Sequence, residues 1–234
     1  MSRWHGGKGS RKRPANVSRE QYEANLSLAL TKKPIKTGWE QLDDSIDIVR
    51  GKITTFFSHA AAGKSVTLFN AAINAANNNL RTVVISGENT EGFLCDRIKT
   101  INGFLSPMMT LKHIGTNNVN DIIRFMNTQF SVDVLVLDFA DLFVSSEADM
   151  EALEQLAIKK NFAIITGGSL PRASDDLSHN KIAELSDNAI IIEDINDADS
   201  AGFYVYKTNK EDSKWLRTRF VVDTETFKIT EINV

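Results

Sequence analysis

Hydrophobic positions along this chain change period several times, and each change marks an element. An apolar, β-prone run from Ile53 ends at Phe57, and small residues follow it. From Gly63-Lys64-Ser65 onward, Leu68, Phe69, Ala72, Ile73 and Ala76 fall on one face at helical spacing. Asn77-Asn78-Asn79 closes that helix. Arg81 to Ser86, rich in Val and Ile, predicts a strand, Glu91 to Ile101 a helix, Leu111 to Ile114 a short strand, and Val119 to Phe130 an amphipathic helix. Val132 to Asp138 predicts a buried strand, Ala148 to Lys160 a helix, and Phe162 to Thr166 a strand. The pattern then becomes strand after strand: Asn188 to Glu193, Gly202 to Lys207, Trp215 to Asp223 and Phe227 to Thr230. Strand–helix units followed by a β-rich tail predict an α/β fold: a mostly parallel central sheet flanked by helices, with an antiparallel extension at the C-terminus.

Chemistry enters at the first strand-to-helix turn. Ser58-His59-Ala60-Ala61-Ala62-Gly63-Lys64-Ser65 follows G-x-x-x-x-G-K-[ST], with Ser58 where the first glycine belongs. A strand, a loop of small residues and a helix start make a phosphate cradle. First-turn N–H groups and the positive dipole end attract anions. Ser58 through Val66 would surround the phosphates, Lys64 would reach the β/γ-phosphates, and Ser65 would hold Mg²⁺. The plain alternative is a tight turn with a solvated lysine.

Two carboxylates extend the pattern. Asp138 ends an apolar strand, which puts it at the sheet's carboxyl edge, where it could order the metal; otherwise it caps a turn. Glu88 follows the strand that ends at Ser86. The same edge would carry it toward the terminal phosphate, where a carboxylate can orient and deprotonate water. A surface position is the bland reading of Glu88.

Composition narrows the rest. The 234 residues make one large domain or two small ones. No apolar run approaches membrane-spanning length, and the polar, basic start has no apolar core of a secretory signal. Cys95 is the single cysteine, which fits a reducing interior. The four histidines are scattered, so nothing suggests zinc. Charge is uneven. Residues 1–36 hold nine Lys/Arg against two Asp/Glu, and the remainder 18 against 28, which together give the net charge of −3. A basic arm on an acidic body suits nucleic acid, a neighbouring subunit or simply solvent. The expected organisation is a basic, disordered arm over 1–17, a helix and linker over 18–36, and the α/β domain over 37–234. In the second of these, Ser18 caps, and Tyr22, Leu26 and Leu30 form an apolar stripe.

An ordered set of segments resembles the RecA-like motor domain of DnaB-type replicative helicases. Thr37-Gly38-Trp39-Glu40-Gln41-Leu42-Asp43 is similar to the family's T-G-[FW]-x-x-L-D, and Gly51-Lys52-Ile53 falls near its turn before the cradle. The family's cradle often lacks the first glycine. Ser86-Gly87-Glu88-Asn89 with Arg97 resembles its S-x-E-M…R segment, whose Glu is the catalytic base. Leu137-Asp138-Phe139-Ala140-Asp141-Leu142 is similar to its D-Y-L-x-L segment, and Ile164 to Arg172 sits where the family has L-S-Q-L-S-R. Leu185 to Ala189, Tyr206 to Lys210 and Asp223 to Phe227 match later segments. The likeness runs from about Thr37 to Ile232. It implies a RecA-like P-loop NTPase using ATP and Mg²⁺, assembled as a homo-oligomeric ring or filament on single-stranded DNA, in the cytoplasm, with replication or recombination proteins as partners. RecA-type recombinases share most of the set. The opening from Trp4 to Pro14 resembles that of small tailed-phage proteins, which would make that cytoplasm a host's.

The departures carry weight. Ser169 stands where the family has a sensor glutamine, and Asn209 where it has an arginine finger. Lys207 matches the family's lysine. Lys210 is the expected substitute across the subunit interface, with Arg217 or Arg219 as other candidates. In the ring-shaped relatives, the loops after Asp138 and Ser169 face the central channel. Here the first, Ser145-Ser146-Glu147, is not basic. The second offers Arg172 and Lys181 to DNA among Ser174, Asp175, Asp176 and His179. Three functions stay open: a DNA-unwinding ATPase, a recombinase or annealing protein that uses ATP for assembly, and a degenerate ATPase that scaffolds other proteins.

Overall fold

The structure, a computed structural model, describes residues 33–116, 118–138, 140–170, 177, 180–193, 202–210 and 217–232. The elements in chain order are α1 (Glu40–Ser45), β1 (Ile53–Ser58), α2 (Lys64–Asn77), β2 (Thr82–Ser86), α3 (Glu91–Asn102), β3 (Met109–His113), α4 (Val119–Thr128), β4 (Val134–Asp138), α5 (Ala140–Phe143), α6 (Glu147–Lys160), β5 (Ala163–Ser169), α7 (Lys181–Leu185), β6 (Asn188–Ile192), β7 (Gly202–Lys207), β8 (Arg217–Val222) and β9 (Ile229–Ile232). One nine-stranded sheet runs β3-β2-β4-β5-β1-β6-β7-β8-β9. The strands from β3 to β6 in that order pair in parallel, and β7, β8 and β9 continue antiparallel. The predicted sheet, parallel with an antiparallel C-terminal extension, is the sheet observed.

Strand sequences explain the layering. β1, β2, β4 and β6 are buried at every position, as parallel strands with helices on both faces must be. Successive residues feed opposite cores. Phe56, Val84, Val136, Ile165 and Ile190 pack on the side of α2 and α3. Phe57, Ile85, Leu137, Ile164 and Ile191 pack with α4, α5 and α6. Tertiary pairing moves several boundaries. β3 begins at Met109, two residues before the expected start, because Met109 pairs with Thr82. β5 continues past Thr166 to Ser169 because β1 pairs along its whole length. Helix α4 ends at Thr128, so Phe130 lies outside it, 91% exposed. Phe227 is not in a strand: it takes a left-handed conformation (φ 61°) in the β8–β9 turn. Short helices α5 and α7 carry too few periodic positions to be read from sequence, and Lys181 sits on α7, not in a loop.

The Thr37–Asp43 segment proves architectural. The Asp43 carboxylate accepts from the Thr37 amide (2.7 Å), the Thr37 hydroxyl (2.8 Å) and the Gly38 amide (3.2 Å). Gly38 has φ 95°, and a Cβ there would stand 2.7 Å from Asn74 Cγ, so only glycine fits. Trp39 packs on Phe203 with ring centroids 4.8 Å apart, and Phe203 on Phe220 at 4.6 Å. This ties the start of the domain to the antiparallel extension. Ile35, assigned from sequence to the linker, is buried and bridges antiparallel to Ile48. The arm over 1–17 and the helix expected from Ser18 to Leu30 lie outside the described residues.

Candidate nucleotide site

Strands β2, β4, β5 and β1 are neighbours and all end at one edge of the sheet. That edge gathers the chemistry. Ser86 lies opposite Asp138 in the β2–β4 register, and Ser58 opposite Ser169 in the β1–β5 register. The loop from Ser58 to Gly63 turns tightly through two left-handed residues, Ala61 (φ 65°) and Gly63 (φ 87°). Glycine accepts that conformation freely, whereas alanine there is strained, as cradle residues often are. Ser58 is buried, and its hydroxyl donates to the His59 carbonyl at 2.9 Å. This side-chain bond stabilises the turn at the position of the missing glycine. His59, Ala60 and Ala61 are exposed at the tip, while Ala62 packs inward. Lys64, Ser65 and Val66 form the first turn of α2, a 14-residue helix whose N-terminus faces this edge.

Ser65 and Asp138 meet here. The Ser65 hydroxyl donates to Asp138 Oδ1 at 2.7 Å. Asp138 Oδ2 accepts from Ser86 Oγ at 3.1 Å and Asn89 Nδ2 at 3.3 Å. Burial pushes the Asp138 carboxyl up from its ordinary pKa, against the pull of these three donors and the Lys64 charge. Lys64 is buried, which pulls its amine down, while Asp141, Asp138 and Glu88 oppose that shift. Glu88 is exposed on the same edge, close enough to act on the Lys64 charge. The cradle, Ser65, Asp138 and Glu88 are therefore brought together.

The donor set suits a hard divalent cation, since a hydroxyl and a carboxylate oxygen converge beside a helix start. Among the described residues, no group of three or more His, Cys, Asp or Glu is placed to hold a metal unaided. Mg²⁺ would therefore need phosphate oxygens and water to complete its shell.

Lys207 and Lys210 lie elsewhere. β7 runs back toward the amino edge of the parallel strands, and both lysines are at that end, away from the cradle of their own chain. Lys207 Nζ donates to the carbonyls of Glu184 (2.7 Å) and Ala183 (3.2 Å) at the end of α7. Lys210 Nζ donates to the Asp44 carbonyl at 2.6 Å. Arg217 pairs with Glu193 at 2.8 Å. Lys181 begins α7, a helix capped by Asn180, and Arg172 lies outside the described residues. The expected channel loop at Ser145-Ser146-Glu147 is the capping box of α6.

Sequence reasoning gave no role to Ser86, Asn89, Gly167 or Asp141. Only Asp141 left a trace, as an acid three residues after Asp138. The others depend on strand order, which spacing does not reveal.

The strand order, the antiparallel extension and the cradle at the carboxyl edge define a RecA-like α/β fold. A solved structure with a similar fold is the flagellar accessory protein FlaH from Methanocaldococcus jannaschii, with a TM-score of 0.68 at 15% identity, covering 86% of this chain and 99% of that one. No protein-family model matches the sequence, and no curated protein matches it. No helix among the described residues is long and apolar enough to cross a membrane.

Proposed function

We propose that this chain binds Mg²⁺-ATP at the Ser58–Val66 cradle and hydrolyses it, as the motor of a single-stranded-DNA-binding oligomer of the replicative-helicase type. The observation that carries the nucleotide reading is the convergence of Ser65 and Asp138, 2.7 Å apart, beside Lys64 on the same edge as Glu88. In this reading the first-turn amides and Lys64 bind the phosphates, and Ser65 and Asp138 hold the metal. Glu88 orients and deprotonates the attacking water. The metal itself supplies charge stabilisation of the transferring phosphoryl group. Lys207 or Lys210 would act on a neighbouring subunit's nucleotide, and Arg172 and Lys181 would contact DNA.

One observation favours a second reading. Lys207 and Lys210 both donate to carbonyls of their own chain, and lysine is a poorer planar donor than the arginine it would replace. Slow turnover used for assembly on DNA, in a recombinase or annealing role, fits that arrangement, as does a scaffold that does not hydrolyse.

Turnover of the purified full chain, with and without single-stranded DNA, tests the nucleotide site. Lys64→Ala should abolish turnover, and Glu88→Gln should keep ATP binding but lose hydrolysis by about a hundredfold or more. Normal turnover in Lys64→Ala would end the reading. A forked-duplex unwinding assay beside an annealing assay separates motor from annealing protein.

A further inference from the structure

Lys64 is held against β5. Its stem lies flat along β5, above Gly167. A Cβ at Gly167 would stand 2.8 Å from Lys64 Cδ and 2.9 Å from Lys64 Cγ. Any other residue at 167 would therefore push the lysine away. The amine ends on β5 and α5: Lys64 Nζ donates to Ser169 Oγ at 3.1 Å, and Ser169 Oγ donates to Asp141 Oδ2 at 2.7 Å. The same Asp141 oxygen is 3.9 Å from Lys64 Nζ. Ser169 thus bridges a cation and an anion, accepting from one and donating to the other. It is also the residue that stands in place of the resembled family's glutamine.

We propose that Gly167, Ser169 and Asp141 form a seat for the Lys64 amine, and that Asp141, by competing with the phosphates for that amine, lowers nucleotide affinity. The proposal rests on the nucleotide reading above. An incoming triphosphate has to compete with Ser169 and Asp141 for the lysine. Asp141 also stands as a carboxylate beside the bound polyanion, sharing its cation with it. Both effects oppose binding and favour release of the diphosphate product. Asp141 is a positioning residue in this scheme: it acts on the nucleotide through Lys64.

Two measurements on the full chain test it. In nucleotide-free protein, an amine-acylating reagent with mass-spectrometric readout gives the labelling rate of Lys64 relative to exposed Lys159. Asp141→Asn and Ser169→Ala should each raise that relative rate severalfold. No change in either variant overturns the seat, whether or not the protein binds nucleotide. Equilibrium binding of a fluorescent ATP analogue with Mg²⁺ then reads affinity. Asp141→Asn should bind about two- to fivefold tighter, the range expected for loss of a partly exposed ion pair. Asp141→Glu should restore weaker binding. Equal or weaker binding by Asp141→Asn overturns the role in affinity. If the unsubstituted protein and Asp141→Asn both bind no analogue, the nucleotide reading falls, while the labelling rates still decide the seat.

Discussion

Asp138 is fully buried, yet it is the acceptor for Ser65, Ser86 and Asn89. Its folded pKa is raised by burial, so the native protein holds this proton more tightly than the unfolded chain does. Below the ordinary aspartate range both states are protonated, and the carboxyl costs nothing. As pH rises, the unfolded chain ionises first and native stability falls, until the folded carboxyl ionises as well. Asp138→Asn removes that cost. Melting temperatures of the nucleotide-free protein should therefore coincide for the two forms at low pH and separate as pH rises. At neutral pH the variant should be the more stable by about 1 kcal/mol. It should also lose Mg²⁺-dependent turnover, because the amide is a poor ligand for a hard cation. A variant less stable at neutral pH would show that the three donors outweigh desolvation.

Elements divide into those that sequence periodicity reveals and those that pairing extends. The capping box at the start of α6 stands where the resemblance pointed to a DNA-facing loop. Asp149 accepts from the Ser146 amide and hydroxyl, both at 2.9 Å, and from Ser145 at 2.9 and 2.8 Å. These bonds hold its carboxyl below the ordinary range, with the Ser145 hydroxyl the largest cause. Ser146→Ala removes the cap and should cost about 1 kcal/mol, read as a lower urea midpoint. If the chain binds DNA, its affinity should not change, and a loss would bring this turn into contact with nucleic acid. By contrast, β5 gains Gly167, Gly168 and Ser169 from its partner β1. A Cβ at Gly168 would stand 2.4 Å from the Phe57 ring. Two successive glycines read as a loop signal in sequence, whereas here they allow close packing.

The whole molecule sets a basic arm on an acidic body. The first packed residue of the domain comes no later than Ile35. Removing residues 1–30 keeps every described core residue and takes away six of the 27 Lys/Arg. If the arm and the helix are connectors, the truncated protein should show weaker self-assembly or weaker single-stranded-DNA affinity. If DNA is the partner, the slope of log affinity against log salt should become shallower. Sedimentation velocity and a salt titration would check this. Unchanged assembly and unchanged DNA affinity would leave the arm without the connecting role. The same scale bears on Lys207 and Lys210: they lie at the sheet edge opposite the cradle, so any catalytic part they play needs a second copy.

By itself the sequence determined the order of strands and helices, the cradle from Ser58 to Val66, and the two acids that end or follow strands. Local signals suffice for these: a change of period, a loop of small residues, and a carboxylate at the close of an apolar run. Tertiary structure alone decided which strand ends are neighbours. Those neighbours bring Ser86 and Asn89 onto Asp138, place Asp141 and Ser169 at the Lys64 amine, and carry Lys207 to the far edge. The physical reason is that sheet order and register arise from pairing between residues far apart in the chain. Spacing along the sequence carries no record of that pairing.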